Sequence, residues 1–233
     1  MIKSYKCIGS VGRMWGNVLP DYWVDSYVDM INYNNRYLCK EGEFINYIKA
    51  TVSWHEMAQN QLVNDSLGEW LLMLGTDHTF SPDLLDRLLF LKNKYKASVI
   101  SGIYQYKFQP HAPVINLWAS DNTGLYPIED WDRSLDIMEV GVNGAGCLLA
   151  DRKVYLQLME KYKTGPFTII QGLSEDYSFC KRCRESKIPI YVAPKVECHH
   201  VINHVLSVND YIPLGGVRVK SENGEIKEDE SKS

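Results

Sequence analysis

No apolar run in this 233-residue chain approaches the length of a membrane span. The first residues, MIKSYKCIGSVGRMWG, contain no long apolar segment of the kind a secretory leader requires. The expectation is a cytoplasmic protein with no transmembrane segment. A basic excess is missing too. Lys and Arg total 25 against 29 Asp and Glu, the net charge is -4 and the pI is about 5.9. That argues against a nucleic-acid binder working through bulk positive charge. The six cysteines, Cys7, Cys39, Cys147, Cys180, Cys183 and Cys198, lack the spacing of a disulfide framework, so reduced thiols are expected. Cys180 and Cys183 form one CxxC inside a helical pattern with no second pair, which favours packing over a zinc site. There is no internal repeat.

What is present is an ordinary globular balance, 45% hydrophobic and 23% charged, in a chain long enough for one large α/β domain or two small ones. Fifteen Tyr and six Trp suit stacking on bases or sugar faces, and equally an aromatic core. Strand patterns cover 6–11, 44–52, 70–74 and 97–104. Helical patterns cover 21–31, a segment from the Ser53 cap to about 66 and a segment after Ser81-Pro82, where Ser caps and Pro takes the first helical position. Ser53 and Glu56 fit a capping box for the second helix. Strand and helix thus alternate through the first half, which predicts a mostly parallel sheet with helices on both faces. The second half reads as a polar, aromatic loop over 116–136, a strand over 147–150 and a helix capped by Asp151. A loop over 165–173, a helix over 175–186 and strands over 188–192 and 196–199 follow. The final SENGEIKEDESKS is charged and reads as a disordered tail.

Ligands in such sheets bind beyond the carboxyl ends of the strands. Gly9-Ser10-Val11-Gly12-Arg13 and Gly75-Thr76-Asp77-His78 both follow strand patterns and should meet at one edge. Asp77, between a buried strand and a helix start, suits a divalent ion holding a diphosphate; capping of a turn fits it equally well. Ser174-Glu175-Asp176 opens a helix. Taken alone it favours capping and dipole compensation, and the alternative is a general base at a helix start. Cys198-His199-His200 ends a strand, and either imidazole, with His204 nearby, can complete a metal site or lie on the surface. The glycine-rich stretch 141–146 precedes a strand rather than a helix, so it is no dinucleotide fingerprint. Close backbone approach lining an acceptor pocket and a tight turn both fit it.

In order, the stretches WHEMAQNQLVNDSLGEWLLMLGTDHTFSPDLL, VISGIYQYKFQPHAPVI, VNGAGCLLADRKVY, GPF and SEDYSFCKRCRESKIPIYVAPKVECHHV resemble the family 2-like glycosyltransferases of GT-A fold, in particular their small phage and bacterial members. The resemblance runs over about 54–201. It implies a GT-A, Rossmann-like, mostly parallel sheet with helices on both faces, a domain over 1–205 and an extension over 206–233. It implies Mn²⁺ or Mg²⁺ and a nucleotide-diphosphate sugar donor. The acceptor is open: glycan, protein, lipid carrier or modified base.

The family's Asp-x-Asp reads Gly75-Thr76-Asp77 here, so Asp77 matches the metal-binding carboxylate and Gly75 replaces its partner, with Thr76 or His78 left to compensate. Glu175-Asp176 matches the catalytic pair, with Asp176 as the base of an inverting transfer. The late metal-binding His matches His200, with His199 as runner-up. Gly9, Ser10, Gly12 and Arg13 take the place of the nucleotide cradle. Ala58-Gln59-Asn60 takes that of Ala-Arg-Asn, lacking its Arg but keeping Asn60. A nucleotidyltransferase and a non-catalytic nucleotide-sugar binder are the competing expectations.

Overall fold

The computed structural model describes residues 5–14, 19–119, 124–202 and 217–218. The elements of the first half are β1 (Lys6–Arg13), α1 (Asp21–Tyr37), β2 (Glu43–Lys49), α2 (His55–Asp65), β3 (Trp70–Leu74), β4 (His78–Phe80), α3 (Leu84–Tyr95) and β5 (Val99–Ile103). Those of the second half are β6 (Ile115–Trp118), β7 (Leu125–Asp130), β8 (Met138–Val140), β9 (Val142–Asn143), β10 (Cys147–Asp151), α4 (Arg152–Tyr162), α5 (Glu175–Glu185), β11 (Ile190–His200) and β12 (Val217–Arg218).

The main sheet runs β2-β1-β3-β10-β5-β11-β4, with β8 also on β11. β1 is parallel to β2 and β3, and β5 is parallel to β11. β10 is antiparallel to both of its neighbours. The expected mostly parallel sheet is therefore mixed at its centre. The cause is local: β10 starts where β3 ends, since Gly75 N–H donates to the Gly146 carbonyl at 2.8 Å.

The all-buried β3 shows why the chain folds in layers. Alternate side chains of a strand point to opposite faces. Leu71 and Met73 enter one core with Leu62 of α2, Tyr155 of α4 and Phe179 of α5. Trp70, Leu72 and Leu74 enter the other with Trp23 and Met30 of α1 and Leu84, Leu85 and Leu88 of α3. Helices on both faces are borne out.

Several local expectations are corrected. GSVGR is not a loop: β1 continues through Arg13, in register with Leu74. Its glycines serve packing. A Cβ on Gly9 would lie 2.1 Å from the Trp70 indole, and one on Gly12 would lie 3.0 Å from Leu62. The Ser53 capping box does not form; Trp54 takes the N-cap position with no side-chain bond. Ser81-Pro82 belongs to a turn, and α3 starts after Asp83. The 116–136 segment is no loop, because β6, β7, β9 and β12 build a second sheet there. The two late strands are one, β11, with a register shift after Ala193. Val217–Arg218, in the expected extension, pairs with β7. His204 and the charged tail lie outside the described residues.

Gly9→Ala tests the packing role. Overpacking typically costs about 1–3 kcal/mol, so the melting temperature should fall by several degrees, roughly 2–4 °C per kcal/mol for a chain of this size. Differential scanning calorimetry gives the answer, and an unchanged melting temperature would free Gly9 from that role.

Candidate functional site

The loop after β3 is held from three sides. Gly75 N–H donates to Gly146, the Trp23 indole N–H donates to the Gly75 carbonyl at 2.8 Å, and Val201 N–H donates to the Asp77 carbonyl at 2.8 Å. These bonds fix where the Asp77 carboxylate stands. Antiparallel pairing of β4 with the end of β11 sets His78 opposite His200 and Thr79 opposite His199. The His78 and His200 rings stack with centroids 4.2 Å apart and planes at 14°. His199 points to the other face and pairs with Glu197 at 3.2 Å, so it does not join the cluster.

His200 Nδ1 lies 2.6 Å from the Gln105 carbonyl. A carbonyl only accepts, so Nδ1 carries the proton. Nε2 then faces Asp77 Oδ2 at 3.1 Å, and the Lys107 ammonium contacts that same oxygen. His78 Nδ1 lies 2.9 Å from Asp77 Oδ1. Among the described residues neither His78 nitrogen makes a hydrogen bond, although the residue is only 2% exposed. Burial pushes His78 toward its neutral form. Burial alone would raise the Asp77 pKa, but the His200 imidazole, the His78 ring and the Lys107 ammonium placed against its oxygens outweigh it and hold the carboxyl well below the usual range.

An ionised carboxylate, an oriented imidazole and an orphaned imidazole offer ligand atoms within 4.8 Å of one another. A buried unsatisfied polar group costs about 1–3 kcal/mol, and a divalent ion would satisfy it. The Nδ1–carbonyl bond on His200 is the usual outer support of a metal-ligating histidine. Two imidazoles beside one carboxylate suit Mn²⁺ better than the harder Mg²⁺. Gly75 now has a reason. A Cβ there would lie 2.6 Å from His78 Nδ1 and 2.9 Å from Asp77 Oδ1, so His78 occupies the space an aspartate at 75 would need.

The second carboxylate stands at the start of α5, where the Ser174 hydroxyl accepts from Tyr177 N–H at 3.3 Å. Asp176 Oδ1 accepts from Gln59 Nε2 at 2.6 Å, and Ala145 N–H also bonds the carboxylate. Burial, then the adjacent Glu175 charge, raises its pKa to about 6 despite those bonds. Glu175 lies 3.4 Å from His55 Nδ1; the contact lowers the Glu175 pKa and raises that of His55. Tyr104 links the two halves of the site. Its ring packs edge-on against His78 and His200, its hydroxyl accepts from Gly146 N–H at 3.0 Å, and burial followed by the charge of Asp176 raises its pKa. The glycine-rich stretch serves this close approach: a Cβ on Gly144 would lie 2.0 Å from the Tyr104 hydroxyl.

The other expected contacts divide. Gly9, Ser10 and Gly12 are strand interior. The Ser10 hydroxyl exchanges hydrogen bonds with the Leu67 main chain at 2.8 and 2.9 Å and is engaged within the fold. Arg13 reaches the same sheet end as Gly75, its guanidinium 5.9 Å from the Trp23 ring centroid. Thr76 is half-buried in the loop between them. Asn60 is a latch, accepting from Phe167 N–H at 3.0 Å and lying 3.5 Å from the Thr168 hydroxyl. Lys107, Gln59 and His55 were not anticipated. His55 and Gln59 sit one turn apart on α2, a spacing that puts them on one face. Lys107 rides a loop closed by Tyr106–Ala112 and Val114–Tyr104 main-chain bonds, and no sequence period marks it.

Comparison with protein-family models and with curated proteins finds no match. Among solved structures the chain is distantly similar to the crystal structure of A197 from STIV. Identity is 16%, the alignment covers 93% of this chain and 99% of that one, and the TM-score is 0.49.

Two outcomes follow from the electrostatics. The Asp176 pKa rises from 3.8 unfolded to about 6 folded. Any stability it contributes is full below pH 4 and lost as the pH rises through 6. Asp176→Asn should therefore be more stable than the parent at pH 8, by up to about 2–3 kcal/mol, with the gap closing below pH 4 in urea titrations. Lys107→Met removes a cation from the Asp77 oxygen and should tighten Mn²⁺ binding about tenfold, or ~1.4 kcal/mol. Isothermal titration of Mn²⁺ without any donor reads this directly, and weaker binding would exclude competition between Lys107 and the ion.

Proposed function

We propose that the chain is a metal-dependent glycosyltransferase of GT-A type that moves a sugar from a nucleotide-diphosphate donor to an acceptor hydroxyl with inversion. One observation carries the reading. Two carboxylates near one sheet edge are driven apart in acidity: Asp77 is held ionised among imidazoles, and Asp176 is raised to about 6. Pairs of carboxylates separated in this way are how one fold supplies a charge-binding group and a proton acceptor together.

Asp77, His200 and the orphaned His78 would hold the divalent ion, which would neutralise the donor's diphosphate. Lys107 and Arg13 add positive charge at the same edge. Asp176 takes the acceptor's proton. The acceptor oxygen attacks the anomeric carbon, and the bond from that carbon to the diphosphate oxygen breaks. Its electron pair leaves with the nucleoside diphosphate. Gln59 and Ala145 N–H orient the Asp176 carboxylate, while burial and then the adjacent Glu175 charge raise its pKa to about 6. A base positioned in this way contributes roughly 10²–10⁴-fold in rate. No helix among the described residues is long and apolar enough to cross a membrane, and the free cysteines fit a reducing, cytoplasmic setting.

The nucleotidyltransferase reading loses its main support, because GSVGR lies within β1 rather than in a phosphate-binding loop. A carboxylate tuned to about 6 is an unneeded cost for a mere binder, which disfavours the third reading.

Nucleotide sugars should raise the melting temperature only with Mn²⁺ present, and Asp77→Ala should abolish the shift. Asp176→Asn should keep donor binding and lose at least about 10²-fold in turnover. The parent's kcat/KM should climb with pH to a plateau above about 6, because the base must be ionised. Release of pyrophosphate instead of nucleoside diphosphate would overturn the assignment.

A further inference from the structure

A cavity of about 390 Å³ opens between the starts of α2 and α5, lined by Ser53, Trp54, His55, Glu56, Ile169 and Glu175. Three features define what it can hold. First, Trp54 is 77% exposed and Ile169 is 50% exposed, so the wall offers a largely exposed aromatic face and an aliphatic neighbour. Exposing that much indole has no folding benefit, since its burial would be favourable. Second, the lining includes two carboxylates, Glu56 and Glu175, and neither lysine nor arginine. A phosphate there would meet two carboxylates, and the one imidazole of the lining, His55, is already paired with Glu175. Third, the polar groups are hydroxyl, imidazole and carboxylate, which together accept from and donate to a ring of hydroxyls.

The cavity adjoins the proposed base through its own wall. Glu175 is the chain neighbour of Asp176, and its carboxylate bonds His55 across the cavity mouth. Cationic groups lie instead at the Asp77 edge, where Lys107 contacts the carboxylate. The site is thus divided by charge: an edge that tolerates a diphosphate, and a cavity that repels one.

We propose that this cavity binds an uncharged pyranose, its apolar face stacked on the Trp54 indole and its hydroxyls bonded to Glu175 and His55. The acceptor of the transfer is then a neutral carbohydrate rather than a lipid phosphate or a phosphorylated nucleotide. This identification of the acceptor rests on the glycosyltransferase reading, whereas the binding of sugar at Trp54 does not.

The test uses the full chain labelled with 5-fluorotryptophan, the Trp54 resonance being assigned from Trp54→Phe. Methyl glycosides of glucose, galactose, mannose and N-acetylglucosamine are titrated with neither metal nor donor present. At least one should shift the Trp54 signal saturably, with a dissociation constant on the order of 1 mM. Trp54→Ala, followed through the other tryptophan signals, and Glu175→Gln should each weaken that binding about tenfold, the loss of ~1.4 kcal/mol. Glucose 1-phosphate should bind more weakly than methyl glucoside. No response at Trp54 to any of the four glycosides, or tighter binding of the phosphate ester, overturns the proposal. Metal-dependent donor binding at Asp77 is measured separately. Sugar binding without donor binding would sink the transferase reading and leave the cavity assignment standing, and the reverse result would do the opposite.

Discussion

The three-residue pairing of β4 with the end of β11 is the constraint on which the site depends. It sets His78 against His200, residues far apart in the chain, and so places both imidazoles around the Asp77 carboxylate. Neither strand could do this alone. β4 is too short to stand by itself, and β11 reaches this edge only because its register shift after Ala193 carries it past β5. Strand alternation sends His200 inward and His199 outward, so one main-chain ladder decides which imidazole joins Asp77 and His78.

The centre of the sheet supplies rigidity. β10 enters antiparallel between β3 and β5, which brings Gly144, Ala145 and Gly146 beside the loop after β3. From that one segment, Gly146 bonds Gly75 and the Tyr104 hydroxyl, and Ala145 bonds Asp176. The two halves of the site are therefore cross-braced by backbone. A side chain at 144 or 146 would collide with Tyr104 or His78, so glycine is required by space rather than by dihedral angle.

Much of this was legible in the sequence, for identifiable reasons. The run 70–74 could only be a buried strand, and Asp77 at its end follows from that. The Ser174 cap and the acids after it marked the start of α5 to the residue. The resemblance points to His200 ahead of His199, and strand alternation is what places His200 beside Asp77. The failures share a cause. Glycine reads as punctuation in a sequence, yet Gly9 and Gly12 are glycine because Trp70 and Leu62 crowd the strand from outside. Asn60 and Gln59 are adjacent on one helix, and only tertiary packing turns the amide of Gln59, not that of Asn60, toward the Asp176 carboxylate. The second sheet was hidden because its short strands alternate too briefly to show a period. Lys107 belongs to a loop whose closure is set by contacts between main-chain groups, which no side-chain pattern announces.

The two carboxylates also explain why so compact a site tolerates its own charges. Asp77 gathers the groups at its edge: the His200 imidazole, the Lys107 ammonium and the ring of His78, which burial keeps toward its neutral form. Asp176 is left with an amide, a main-chain N–H and a neighbouring negative charge. Had the cations been shared evenly, both acids would ionise at low pH, and neither would be a useful base near neutrality. Between them stands Tyr104, buried and kept protonated by burial and by the charge of Asp176. A neutral ring there separates the ionised cluster from the base without adding charge to either. The division of electrostatic labour is therefore built by burial and by which strand each residue rides. It would survive a change of sugar or acceptor, because it depends on neither.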